Sequence, residues 1–395
     1  MPAGEILRFA YGVKAPVNVL YRAFTSAAGL QEWLCQAALA DPRPGGHIFL
    51  RWESGYFAAG EYQLLEPDHA VTFTWHGKGE PAISRVQVTL TPQEEDVLVV
   101  IEHHGLGIDD IWQNTRREVE RGWIIGLENL IARMEDGLDR RIADRPMMGL
   151  ALEDVPAQMR VPAGLRVTDV LLGMSAAQAG LQKGDILTEI DGRITADYPT
   201  FGRIISRHRA GDVLTLTVYR AGRKADVSLT LMRRPMPATA TTPAELLQIA
   251  RDTYARNDAL LQSIFAGVSE AHASHQPAPG EWSAREVLAH MLHVERDFQA
   301  MMLAGILSQT YQFADNLPER IQASLQVYPT LPALLEAFFT AEKETLALMA
   351  NLPAEFCARR ASFWDLAYNF PFFADHTVTH FEQIRIALEM AGSAG

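Results

Sequence analysis

Asp375-His-Thr-Val-Thr-His-Phe-Glu-Gln-Ile384 carries two histidines four residues apart on a segment whose apolar positions, Phe373, Phe381, Ile384 and Leu388, recur with a helical period. On a helix, residues four apart lie within about 40° of each other around the axis, so His376 and His380 leave one face and can meet one metal ion. The segment sets the reading of the last third of the chain, a set of helices packed around an inward face that carries imidazoles.

Working back from it, the chain is helical in pattern from Thr242 onward. Thr242 caps a helix with Pro243 in its first turn, extending to about Ser269. Ser283-Ala-Arg-Glu286 has capping-box spacing and opens a second helix reaching about Leu307. Leu331–Leu352 and Phe372–Met390 are the third and fourth, and four helices of similar length pack most economically as a bundle. On the second, Ala284, Val287, Leu288, Met291, Phe298 and Met302 define the apolar face. His290 flanks that face and can look into the bundle, whereas His293 points nearly opposite, towards solvent. Glu295 stands near the middle of the apolar face, where an unpaired carboxylate is costly. It is expected to orient a ligand histidine or accept a proton, an inward salt bridge being the plainer alternative. Three imidazoles from two facing helices fill three corners of a tetrahedron and leave one open.

Glu281-Trp-Ser-Ala-Arg-Glu-Val-Leu-Ala-His290, with His376 and His380 ahead of Phe-Glu-Gln-Ile384, resembles the DinB-like superfamily over residues 242–395. The resemblance places that family's metal triad on His290, His376 and His380. It implies a divalent ion, with zinc, nickel and iron not distinguished. Some members use the metal to activate a low-molecular-weight thiol for transfer or isomerisation. The plain alternative is a set of histidines that only hydrogen-bond within a bundle.

Upstream, Gly164-Leu-Arg-Val-Thr-Asp-Val170 reads as a strand and Ser175-Ala-Ala-Gln-Ala as a short helix stopped by Gly180. Ile186–Ile190 is a strand ending in the Asp191-Gly192 turn, Thr200–His208 suits a helix, and Val213–Tyr219 and Ala225–Leu231 form a hairpin. Ala-Gly-Leu, then Lys-Gly-Asp, then Ile-Asp-Gly resembles the PDZ family in its HtrA-type arrangement over residues 147–234. The resemblance implies capture of a partner's C-terminal peptide by strand addition. The carboxylate would lie in a nest of amides at Met148-Gly149-Leu150, and Ile205 (or Ile204) would line the pocket for the last side chain. A degenerate domain serving only as a spacer is the other reading.

The first third opens with a helical stretch, Val17–Gln36, broken near Ala28-Gly29. Strand-like runs follow at His47–Trp52, Gly60–Leu64, Ala70–Trp75, Ser84–Leu90 and Val97–His103, and a long helix at Ile111–Met134. A meander of this kind buries a shared core by wrapping around the final helix. His103 and His104, on opposite faces of a strand, are expected at the surface. The order, with Gly45-Gly46 before the first long strand and Gly122-Trp123 followed by Leu127-Glu-Asn-Leu130, resembles the SRPBCC or START-like helix-grip superfamily. Its branch homologous to activators of the heat-shock-ninety ATPase is the nearest, over residues 1–137. The resemblance implies an apolar small-molecule cavity or a protein-interaction surface.

The fold class is therefore multidomain: an α+β helix-grip domain, a small β-rich PDZ domain and an all-α up-down bundle. A net charge of −13 argues against nucleic acid or an anionic membrane as partner. Two cysteines far apart give no disulfide framework and favour a reducing cytoplasm. The opening residues lack the basic and apolar regions of a signal peptide, and no run approaches a membrane span. Two functional readings stay open. One is a multidomain binding protein with a three-histidine metal site; the other is a metal-dependent thiol transferase, isomerase or hydrolase whose other domains recruit.

Overall fold

The computed structural model describes residues 6–155, 162–312 and 317–393. They fall into two compact units. One comprises Met1–Trp52, Tyr56–Gly137 and Ala238–Gly395, the other Glu53–Gly55 and Leu138–Pro237.

In the first unit the N-terminal part runs β1 (Leu7–Val13), α1 (Val17–Thr25), α2 (Ala27–Trp33), β2 (Ala37–Ala40), β3 (His47–Arg51), β4 (Phe57–Glu66), β5 (Ala70–Gly77), β6 (Ser84–Pro92), β7 (Val97–His104) and α3 (Asp110–Glu135). The strands form one antiparallel sheet in the order β1-β7-β6-β5-β4-β3-β2. Its inner face packs with Trp123, Leu127 and Leu130 of α3 and Leu20, Phe24 and Trp33 of α1 and α2 in a single core. The helical opening breaks at Ser26, whose hydroxyl accepts from the Gly29 amide and caps α2, rather than at Ala28-Gly29.

Strands β1 and β2 were not read from the sequence, and β1 corrects the expectation for His103. Leu7 of β1 lies opposite His103, so β7 is an internal strand and its inward positions Val97, Val99, Ile101 and His103 are covered. His103 is 0% exposed. Trp123 Nε1–H donates to its Nδ1 at 3.0 Å, which fixes the proton on Nε2, and Nε2–H donates to Ser84 Oγ at 2.8 Å. Burial first, then the neighbouring His104 and Arg116, pushes this imidazole down to about 3. A nitrogen that already carries a proton cannot take one from Ser84, so the pair is a structural network and no nucleophile.

The bundle is built from α7 (Pro243–Phe265), α9 (Ala284–Ile306), α11 (Leu331–Ala350) and α13 (Arg360–Ser393). Short helices α8 (Glu270–Ala273), α10 (Pro318–Val327) and α12 (Ala354–Ala358), absent from the sequence reading, connect them. The capping box at Ser283 and Glu286 and the Thr242 cap both form. The fourth helix differs from expectation: it starts at Arg360 and carries Pro371 in its interior. Proline removes one backbone donor, yet Phe363, Leu366 and Phe370 before it and Ala374 after it are buried in one core, which holds the helix continuous.

The second unit contains α4 (Arg140–Ala143), β8 (Pro146–Met147), β9 (Leu150–Asp154), β10 (Leu165–Val170), α5 (Ser175–Gln178), β11 (Ile186–Ile190), β12 (Arg193–Ile194), α6 (Tyr198–Ile205), β13 (Val213–Arg220), β14 (Arg223–Thr230) and β15 (Met232–Arg233). Its main sheet runs β14-β13-β11-β10-β9, which leaves β9 at an edge. Asp191 and Gly192 both take positive φ, 47° and 72°, the backbone that a tight hairpin turn requires.

Candidate metal centre and peptide groove

His290 sits two turns into α9, behind the capping box, and is 4% exposed. His376 and His380 project from α13 beside it. The ring centroids are 5.5 Å (His290 to His376), 4.7 Å (His290 to His380) and 4.5 Å (His376 to His380) apart. One nitrogen from each lies within 4.8 Å of the other two. His380 Nδ1–H donates to Gln383 Oε1 at 2.8 Å, and an amide oxygen can only accept, so Nε2 presents its lone pair. That Nε2 is 3.2 Å from His376 Nε2. Two nitrogens bound to one tetrahedral ion at the usual bond length are about 3.3 Å apart. The pair on α13 therefore has ligand spacing, and a ring nitrogen of His290 lies within 4.8 Å of both. Burial, and then His380, holds the His376 imidazole below its ordinary value, which favours the neutral form a metal needs. The Trp282 ring stands 5.2 Å from His290 and walls one side of the cluster.

The sequence-predicted Glu295 does not join it. Tyr254 Oη–H donates to Glu295 Oε1 at 2.8 Å and Thr345 Oγ1–H donates to the same oxygen, which directs the carboxyl between α7 and α11 and away from the histidines. Nearby, Glu342 hydrogen-bonds Asp258. Glu342 Oε2 and Asp258 Oδ1 are shut off from solvent. The sequence reading missed this layer of three carboxyls. Its signal was the acidic residue at helical spacing from buried neighbours, Glu342 beside Phe338 and Thr345. His293 is likewise buried, contrary to expectation: Nε2 is 3.0 Å from both the Arg320 carbonyl and Ser324 Oγ, because α10 covers that side of α9.

In the second unit the proposed carboxylate loop precedes the edge strand. Gly149 has φ +82°, and a Cβ there would lie 2.2 Å from Met174 Cβ, so both backbone and packing demand glycine. Its carbonyl accepts from the Leu171 amide, and Met148 is buried. Leu150 and Leu152 of β9 and Phe201 of α6 are part-buried against the core, and Ile205 is buried in it. A cavity of about 270 Å³ lies on the Ile204 side of α6, lined by Ile190, Asp191, Arg193, Ile204, Arg207 and His208. None of Met148, Gly149, Leu150 or Ile205 lines it.

Profiles of three families match the chain in succession: activator of Hsp90 ATPase homolog 1-like protein over residues 14–135, PDZ domain over 146–231 and DinB superfamily over 253–384. The chain is a fusion of these three domain types. Among curated proteins, it is similar to the serine protease Do-like HtrA of Lactobacillus helveticus, 31% identical over 98 residues, covering 22% of this chain and 24% of that protein. The periplasmic serine endoprotease DegP of Escherichia coli is 29% identical over 110 residues, covering 27% and 23% respectively. The chain thus spans about a quarter of the length of these relatives, and the match is confined to the PDZ region. Among solved structures, the Aha1 dimer from Colwellia psychrerythraea aligns with 19% identity and a TM-score of 0.30, covering 33% of this chain and 96% of that one. An HSP90 activator from Plasmodium falciparum aligns with 23% identity and a TM-score of 0.28, covering 32% and 94%. Among the described residues, no helix is long and apolar enough to cross a membrane.

Proposed function

We propose that this fusion is a multidomain binding protein with a divalent-metal centre at His290, His376 and His380 and a C-terminal-peptide grip at Met148, Gly149, Leu150 and Ile205. The observation that carries the metal reading is the His380 tautomer, fixed by Gln383, with its free nitrogen 3.2 Å from that of His376. Imidazole donors suit zinc, nickel and iron alike. The peptide reading rests on the open edge of β9 and on the positive φ of Gly149 beside it. Leu150 and Leu152 favour apolar side chains in the captured strand. The helix-grip domain supplies an interaction surface or takes an apolar small molecule.

A second reading, a metal-dependent enzyme of the thiol-transferring or hydrolytic kind, has one observation in its favour. His376 is exposed, so the cluster opens towards solvent on the α13 side. When bound, a divalent ion supplies a Lewis acid that lowers the pKa of a water or thiol. The residues themselves bring three nitrogens within 4.8 Å of one another, fix one tautomer through Gln383 and wall the cluster on the Trp282 side.

Elemental analysis of the purified full chain after metal-supplemented expression, beside the His380→Ala variant, tests the centre. About one equivalent of a first-row metal in the parent, lost in the variant with helicity retained, is the expected result. A parent without metal overturns it. Metal retained without turnover of thiol acceptors leaves the binding reading ahead of the enzymatic one.

A further inference from the structure

The helix that carries two of the three histidines is seated at its other end on the helix-grip domain. Arg133, near the C-terminal end of α3, is 0% exposed. Its guanidinium donates to the Glu32 carbonyl at 2.7 Å, to the Gly137 carbonyl at 2.6 Å and to the Asp365 carboxylate on α13. It also lies over the Trp364 ring, 5.5 Å from the centroid. Beside it, Ser362 Oγ–H donates to Glu32 Oε1 at 2.6 Å, and Arg360 donates to the Glu135 carbonyl. Gly137 has φ +76°, and a Cβ there would fall 2.6 Å from the Arg360 carbonyl oxygen and 2.8 Å from Trp364 Cβ. The close approach of α13 to the end of α3 therefore depends on the missing side chain.

From this seat, Trp364, Tyr368, Phe372, His376 and His380 follow at four-residue intervals along α13. Trp364 and Tyr368 stack at 4.6 Å and 8°, and Tyr368 meets Phe372 at 5.1 Å. Pro371 interrupts the hydrogen-bond ladder between the seat and the histidines, and such a site is where a helix bends. His380 lies nine residues beyond Pro371, about 13 Å along the axis. A bend of about 5° there moves His380 by about 1 Å, enough to spoil a coordination geometry.

We infer that Arg133 and Asp365 are positioning residues for the histidine centre: their ion pair sets the direction of α13 across Pro371, so that the helix-grip domain and the centre are coupled. The inference rests on the metal reading for its functional meaning, while its mechanical content does not. By linkage, whatever displaces α3 weakens metal binding, and bound metal tightens the seat.

The test uses the full chain with zinc ion as the probe. Zinc affinity by competition with a chelator is compared among the parent, Asp365→Asn and Asp365→Glu, with amide hydrogen exchange of residues 372–384 measured on the zinc-free proteins. Asp365 is partly solvent-exposed, so Asp365→Asn folds, and circular dichroism checks it. The expected result is at least tenfold weaker zinc binding and faster exchange in Asp365→Asn, with both partly restored in Asp365→Glu. Affinity within twofold of the parent and unchanged exchange overturn the coupling. If the parent itself binds no zinc, the metal reading falls, and exchange alone decides: an unchanged rate in Asp365→Asn overturns the coupling as well.

Discussion

Replacing Glu342 with glutamine should remove a pH dependence of stability that the buried carboxyl layer imposes on the bundle. Glu342 is 2% exposed, and its carboxyl is pushed up to about 11, chiefly by burial, then by the hydrogen bond and charge of Asp258 and the charge of Glu295. Unfolded, the same group titrates near its ordinary 4.5. The folded value lies above the unfolded one, so the folded chain holds a proton that the unfolded chain has released. Its stabilising contribution is full below about 4.5 and is lost progressively as pH rises towards 11. Each pH unit in that window removes about 1.4 kcal/mol, so the change between pH 5 and pH 8 is about 4 kcal/mol. Glutamine keeps the volume and a hydrogen-bond donor for Asp258 but cannot ionise. Urea unfolding of the full chain, followed by circular dichroism at 222 nm from pH 5 to 8, should show the Glu342→Gln curve gaining on the parent as pH rises. Groups that do not interact with Glu342 contribute equally to both proteins and cancel in the difference, which reports Glu342 together with its coupled neighbours Asp258 and Glu295. A difference that stays constant over the range would refute the reasoning.

The same logic with opposite sign applies to His103. Its folded value of about 3 lies below the ordinary 6.5, so its contribution to stability is present above 6.5 and is lost as pH falls towards 3. Its imidazole resonances should stay flat from pH 8 to 5; a His103 midpoint above pH 5 counts against the Trp123–His103–Ser84 network. In the PDZ domain, Gly149→Ala forces a Cβ against Met174 on a backbone with φ +82°. Binding of apolar C-terminal peptides, measured by fluorescence anisotropy with the free acid and the amide, should weaken more than tenfold for the acid and converge on the amide's value. Retained preference for the acid would remove Gly149 from the carboxylate nest.

Much of this protein is written in local pattern. Period-two runs such as Val97–His103 gave the strands, and the Ser283 and Thr242 caps gave two helix starts, because these depend on neighbours a few residues away. The His376 and His380 pair was legible for the same reason: helical geometry alone puts them on one face. Strand β1 was also legible in principle, since Leu7, Phe9, Tyr11 and Val13 alternate, but its seven residues carry few strong signals. The fourth helix begins at Arg360 and not at the expected Phe372, because the core that carries it through Pro371 is a tertiary fact that no local rule contains.

What the residues determined by themselves was the set of three domain types, the faces of their helices and strands, and which imidazoles could converge. Only the tertiary structure decided that His103 and His293 are enclosed, that Glu295 turns to Tyr254 and Thr345, and that Arg133 meets a carboxylate 232 residues away. The periodicity of a segment states which side of it avoids water. The groups that cover that side, and so fix its charges and tautomers, come from remote parts of the chain whose meeting is settled by how all the faces pack at once.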